Sequence, residues 1–175
     1  MKEQLDILIE SCPWDSVRIE LASLIASNEI VLNFRFDWGP NNGYAAITFP
    51  ALADEPITLW VNPAKLIKIK DGKAGYHLLL ILHHEYIHYL QWISEDEEPV
   101  ESCAQTWHRE YEAYYSECQL ARKWGLSNLH HQSICPYAYS EDAFSWALFK
   151  SLPDALPKYA NCTNQWASLN GFPVP

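Results

Sequence analysis

With 49% hydrophobic and 19% charged residues in 175, the chain has the balance of a globular protein able to bury a sizeable core, and disorder is not its expected state. Twelve Lys and Arg against 22 Asp and Glu, a formal net charge of −10, leave no basic stripe for phosphates, which argues against nucleic acid and an anionic membrane surface as partners. The longest apolar run, Leu78 to Leu82, is too short to span a bilayer.

The N-terminal MKEQLDILIE mixes charged and apolar residues without the continuous apolar stretch of a secretory signal, so a cytoplasmic protein is expected, specialised secretion aside. Its pattern, with Leu5, Leu8 and Ile9 at helical spacing, predicts a helix broken at Ser11-Cys12-Pro13. A second helix follows, capped by Asp15 or Ser16 and ending near Ser27. Ile30 to Phe36 is rich in β-branched and aromatic residues and predicts a strand; Asn41-Asn42-Gly43 is a turn signal, Tyr44 to Phe49 a second strand, and Ile57 to Val61 a third, closed by Asn62-Pro63. The expected sheet is small and mainly antiparallel.

After Asp71-Gly72 the period changes to 3.6, and Ala74 to Ile93 predicts a long helix. The acidic SEDEE loop ends it. Pro99 suits the first turn of a further helix that Gly125 stops, with Val100, Cys103, Trp107, Tyr111, Tyr114, Cys118 and Ala121 on one core-facing stripe. The last fifty residues, aromatic-rich and interrupted by prolines, give at most a short helix that Ser140 could cap. With no repeat, low-complexity tract or long linker, a single α+β domain over 1–175 is expected. The five cysteines (Cys12, Cys103, Cys118, Cys135, Cys162) are odd in number and lack CxxC spacing, which predicts buried reduced thiols in place of disulfides or a thiolate metal site.

His84-Glu85-Tyr86-Ile87-His88 is an HExxH sequence on the long helix. Residues i and i+4 share a face about 6 Å apart, where two imidazoles can bind one tetrahedral zinc while Glu85 reaches a water on that ion as general base. His83 has Ile87 at its own i+4 position and is expected to pack or support. A catalytic zinc takes a third protein ligand. Measured around the following helix from Trp107, Glu110 lies about 60° away, Glu117 about 80°, His108 about 100° and Glu112 about 140°, at 100° per residue. Glu110 is thus nearest the inward face, with His108 and Glu112 as alternatives.

HExxH followed by a helix bearing Glu-x-x-Ala, here Glu110-Tyr111-Glu112-Ala113, resembles the gluzincin type of zinc metallopeptidase. The resemblance covers Gly43 to about Ala121. It implies a compact zincin-like α+β domain, with the sheet packed on the HExxH helix and a following ligand-bearing helix. It implies one zinc per chain held by His84, His88 and Glu110, and a peptide or protein substrate laid along an edge strand such as Tyr44 to Phe49. Glu85 would take a proton from a water whose pKa zinc lowers toward about 7 and return it to the leaving amine. Tyr114, His130, His131 and Tyr137 are of the type that stabilises an oxyanion. The chain departs from the pattern at Tyr114, where many gluzincins have an Asp or Asn that orients a histidine. A catalytically inactive, zincin-derived binding or regulatory protein is the competing expectation, and hydrolysis of a non-peptide amide a third.

Overall fold

The computed structural model describes residues 2–37, 45–50, 55–64, 73–94, 103–126 and 135, which belong to two compact units, Met1–Ser94 and Glu95–Pro175. Within the described residues the fold is mixed α+β, with four α-helices and a three-stranded sheet.

The first unit opens with α1 (Lys2–Glu10), which buries Leu5, Leu8 and Ile9, the three residues whose spacing predicted it. Past the break at Pro13 the chain forms a π-helical stretch, Ser16–Leu21, that runs directly into α2 (Ala22–Ala26) and buries Val17 and Leu21. Asp15 occupies the N-cap position without making a side-chain cap bond, contrary to expectation; its carboxylate instead pairs with Arg18 at 3.0 Å. Asn28 ends the segment at φ 62°, a left-handed conformation that its short polar side chain tolerates.

The strands are β1 (Ile30–Phe34), β2 (Ala45–Thr48) and β3 (Ile57–Val61). Their order is β1-β3-β2, with β1 parallel to β3 (Ile30 opposite Ile57) and β2 antiparallel to it (Ile47 opposite Leu59). The expectation of a mainly antiparallel sheet is therefore corrected: it is mixed. Chain direction alternates from strand to strand, but β3 inserts between β1 and β2 and so runs alongside β1. The burial explains the insertion, because Ile57, Thr58, Leu59 and Val61 are all buried, as befits a central strand with both faces covered. Turn signal Asn41-Asn42-Gly43 lies outside the described residues, as does Tyr44.

Helix α3 (Lys73–Ser94) packs against β2, the π-helical stretch and α1. Leu78, Leu79, Leu80 and Leu82 are at most 1% exposed, each burial stabilising the fold by about 1.5–3 kcal/mol relative to exposure. His83, His84, Tyr86 and Tyr89, on other sides of the helix, are buried too. A helix enclosed on so many sides can hold polar groups in fixed positions.

In the second unit, α4 (Cys103–Lys123) ends as predicted at Gly125. Gly125 has φ 68°, its N–H donates to the Arg122 carbonyl at 3.1 Å, and the Leu126 N–H donates to the Ala121 carbonyl at 2.8 Å, the paired bonds of a Schellman stop. The buried stripe of α4 matches the expected one in part. Cys118 and Ala121 are buried as expected, and Thr106, Glu110, Ala113 and Glu117 are buried with them, while Tyr111 and Tyr114 are half-buried. The centre of this stripe lies about 60° around the helix from position 107, toward the two glutamates. The cysteine expectation is also corrected. Cys118 and Cys135 form a disulfide across a separation of 17 residues, with Cα atoms 5.5 Å apart. Pairing depends on that three-dimensional proximity, which neither cysteine number nor CxxC spacing reports. The expectation of reduced thiols fails at these two positions. Cys12 is a free, buried thiol, as predicted. No helix among the described residues is long and apolar enough to cross a membrane.

Candidate metal centre

His84, Glu85 and His88 lie in the middle of α3, where helical geometry alone sets the two imidazoles on one face. Their Nε2 atoms point at one another, 3.1 Å apart, with the rings edge to face at 79°. Two nitrogens at ordinary zinc–imidazole distances around a tetrahedral ion stand about 3.3 Å apart, so the pair fits such an ion with little adjustment. His84 is 6% exposed and His88 half-buried. The Nδ1 atom of His88 lies 2.8 Å from Oε1 of Gln91, itself buried. The position of Gln91, three residues after His88 of the HExxH sequence on the same helix face, is the sequence signal for this contact.

Glu85 points to the side of this pair, and its Oε2 accepts a 2.8 Å hydrogen bond from the Ile47 backbone N–H. Strand β2 is at the sheet edge, so an N–H that donates to α3 points away from β3 and is not taken from the ladder. The sheet thereby fixes the carboxylate of the HExxH sequence through a main-chain donor. Further along the same side, Phe49 stacks on Trp92, one turn beyond His88, with ring centroids 5.5 Å apart and planes 10° from parallel. Trp92 retains 42% exposure.

The opposite side of α3 is held by the π-helical stretch. His83, 7% exposed, shares a 2.8 Å hydrogen bond between its Nδ1 and Ser16 Oγ, so it packs as expected of a residue outside the ligand pair. Tyr86 is buried, and its hydroxyl donates to Glu20. Burial first, then the hydrogen bond and charge of Glu20, push the Tyr86 phenol far above its usual range. Burial, with the charge of Glu29, also raises that of Tyr89. Both phenols therefore stay neutral donors. Ser16 and Glu20 grip His83 and Tyr86, which restrains rotation of α3 about its axis and with it the direction of His84 and His88.

On α4, Glu110 is 9% exposed and Glu117 fully buried. His84, His88 and Glu110 are a set of residues that could hold a metal ion. His108 and Glu112 are placed otherwise: Nε2 of His108 is 3.3 Å from Oε1 of Glu112, and their side chains are 55% and 49% exposed. Tyr114 is half-buried. His130, His131, Tyr137 and the segment about Ser140 lie outside the described residues. No protein-family model, curated protein or solved structure matches the chain.

Proposed function

We propose that the chain is a zinc-dependent peptidase of the gluzincin type, using His84, His88 and Glu110 as ligands and Glu85 as general base. The observation that carries this reading is the 3.1 Å convergence of the two Nε2 atoms beside a glutamate fixed by a backbone N–H. Two neutral imidazoles and one carboxylate are the donor set of an open catalytic zinc site, and an ion held by His84, His88 and Glu110 would supply Lewis-acid chemistry. Glu85 would serve as general base and return the proton to the leaving amine. Its bond to Ile47 keeps the carboxylate beside the reacting group without making it a ligand. An extended peptide aligns with the outer edge of β2, where the backbone groups other than the Ile47 N–H supply main-chain hydrogen bonds, and the Phe49–Trp92 stack lies beyond His88 on the same side.

The test is zinc content by elemental analysis after chelator-free purification, together with a peptide-library cleavage assay. Wild type is expected to carry one zinc, Glu110→Ala to hold it weakly, and Glu85→Gln to retain it while losing about 10²–10⁴-fold in turnover. Absence of zinc from wild type, even after zinc is added back, removes the enzyme reading. Equal retention by wild type and Glu110→Ala moves the third ligand to His108 or Glu112. Zinc bound without cleavage of any peptide favours the inactive, zincin-derived binding protein.

A further inference from the structure

We infer that Gln91 is a positioning residue that sets the tautomer and ring direction of His88, and thereby determines which nitrogen of that histidine faces a metal. The argument begins with proton inventory. A neutral imidazole carries one N–H, and the amide oxygen of glutamine carries none, so it only accepts. With Nδ1 of His88 2.8 Å from Gln91 Oε1, the hydrogen belongs to Nδ1. Nε2 is then left with its lone pair, and Nε2 is the atom that faces His84 Nε2 at 3.1 Å.

The contact is built to persist. Gln91 sits three residues after His88, so both project from the same face of α3 one turn apart. It is 9% exposed, so bulk water does not readily substitute for its amide oxygen. Were the Gln91 amide turned over, its NH₂ would donate to Nδ1 and force the proton onto Nε2, which would then offer no lone pair to an ion. The choice between the two amide orientations is thus a choice between a competent and an incompetent ligand. Outer partners of this kind commonly change metal affinity by about 10–100-fold.

The inference rests on the metal reading above, so its test has one readout that needs metal and one that does not. The first is zinc affinity by competition with a chromophoric chelator; the second is the ¹⁵N signature of the His88 tautomer in zinc-free protein at alkaline pH. Wild type is expected to show His88 as the Nδ1–H form. Gln91→Glu keeps an acceptor in place and should preserve that tautomer, with zinc affinity at or above the wild-type value. Gln91→Leu keeps the bulk but removes the acceptor; it should lose the pure Nδ1–H signature and bind zinc about 10–100-fold more weakly, with an unchanged far-ultraviolet spectrum. Gln91→Met serves in its place if the leucine variant does not fold. Wild-type affinity and tautomer in Gln91→Leu, or an Nε2–H His88 in wild type, would overturn the inference. If wild type binds no zinc, the metal reading fails alone, and the tautomer measurement still decides whether Gln91 governs His88.

Discussion

The hydrogen bond from Ile47 to Glu85 joins the sheet edge to the middle of α3 across 38 residues of sequence, and its strength can be measured. Ile47→Pro removes the donor. Because that N–H points off the sheet, the substitution spares the β2–β3 ladder, and an edge strand is where proline is tolerated. Glu85→Ala removes the acceptor. A hydrogen bond to a charged group contributes about 1.5–3 kcal/mol, and because Glu85 is half-buried the lower end, about 1.5 kcal/mol, applies. Neither single variant isolates this value: proline also changes the backbone and loses apolar contact, and alanine also removes the other contacts of Glu85. A double-mutant cycle cancels those contributions. The assay is urea unfolding of the four proteins followed by tryptophan fluorescence. A coupling energy near 1.5 kcal/mol is expected, and one below about 0.5 kcal/mol would refute the claim that this donor anchors the carboxylate.

Three further outcomes follow from the fold. Non-reducing peptide mapping should recover Cys118 joined to Cys135, and Cys118→Ser should cost about 3 kcal/mol for a loop of this length; free thiols at both positions would show that the bond does not form. Gly125→Ala should destabilise by about 1 kcal/mol, because the added methyl meets nothing within 4 Å and backbone strain at φ 68° is the whole cost. Gly125→Asn should cost less, and equal cost for both would contradict the strain argument. Burial raises the Cys12 thiol, only partly opposed by a backbone hydrogen bond of Trp14 and by the charge of Arg18. Its folded-state pKa therefore exceeds the unfolded one: its contribution is fully present below pH 9.0, the ordinary value, and is lost as pH rises through the folded pKa. Denaturation series should show wild type losing stability relative to Cys12→Ala above that pH, and parallel curves would exclude the linkage.

Much of the site was visible in the sequence because its parts are local. The pairing of His84 with His88 follows from the pitch of any α-helix, and so does the position of Gln91 beside His88. The inward direction of Glu110 also came from helical angles, although the stripe was centred on Trp107, and aromatic residues at steps of three and four proved a poor guide beside two buried glutamates. Hydrophobicity ranks Tyr111 and Tyr114 above Glu110 and Glu117. A buried carboxylate is favourable only where specific partners meet it, and residue type does not show those partners.

By itself, the sequence determined the features whose causes lie within a few residues: the spans of α1 and α3, the stop at Gly125, the extended Ile57–Val61 segment and the convergence of two imidazoles. Tertiary structure alone decided what depends on distant segments meeting. It put β3 between β1 and β2, joined Cys118 to Cys135, delivered the Ile47 N–H to Glu85 and set Ser16 against His83 across 67 residues. The division is physical. Backbone geometry makes short-range periodicity a direct consequence of residue order, whereas long-range partners are chosen by competition among all ways of burying the same apolar surface, and only the folded chain records the outcome.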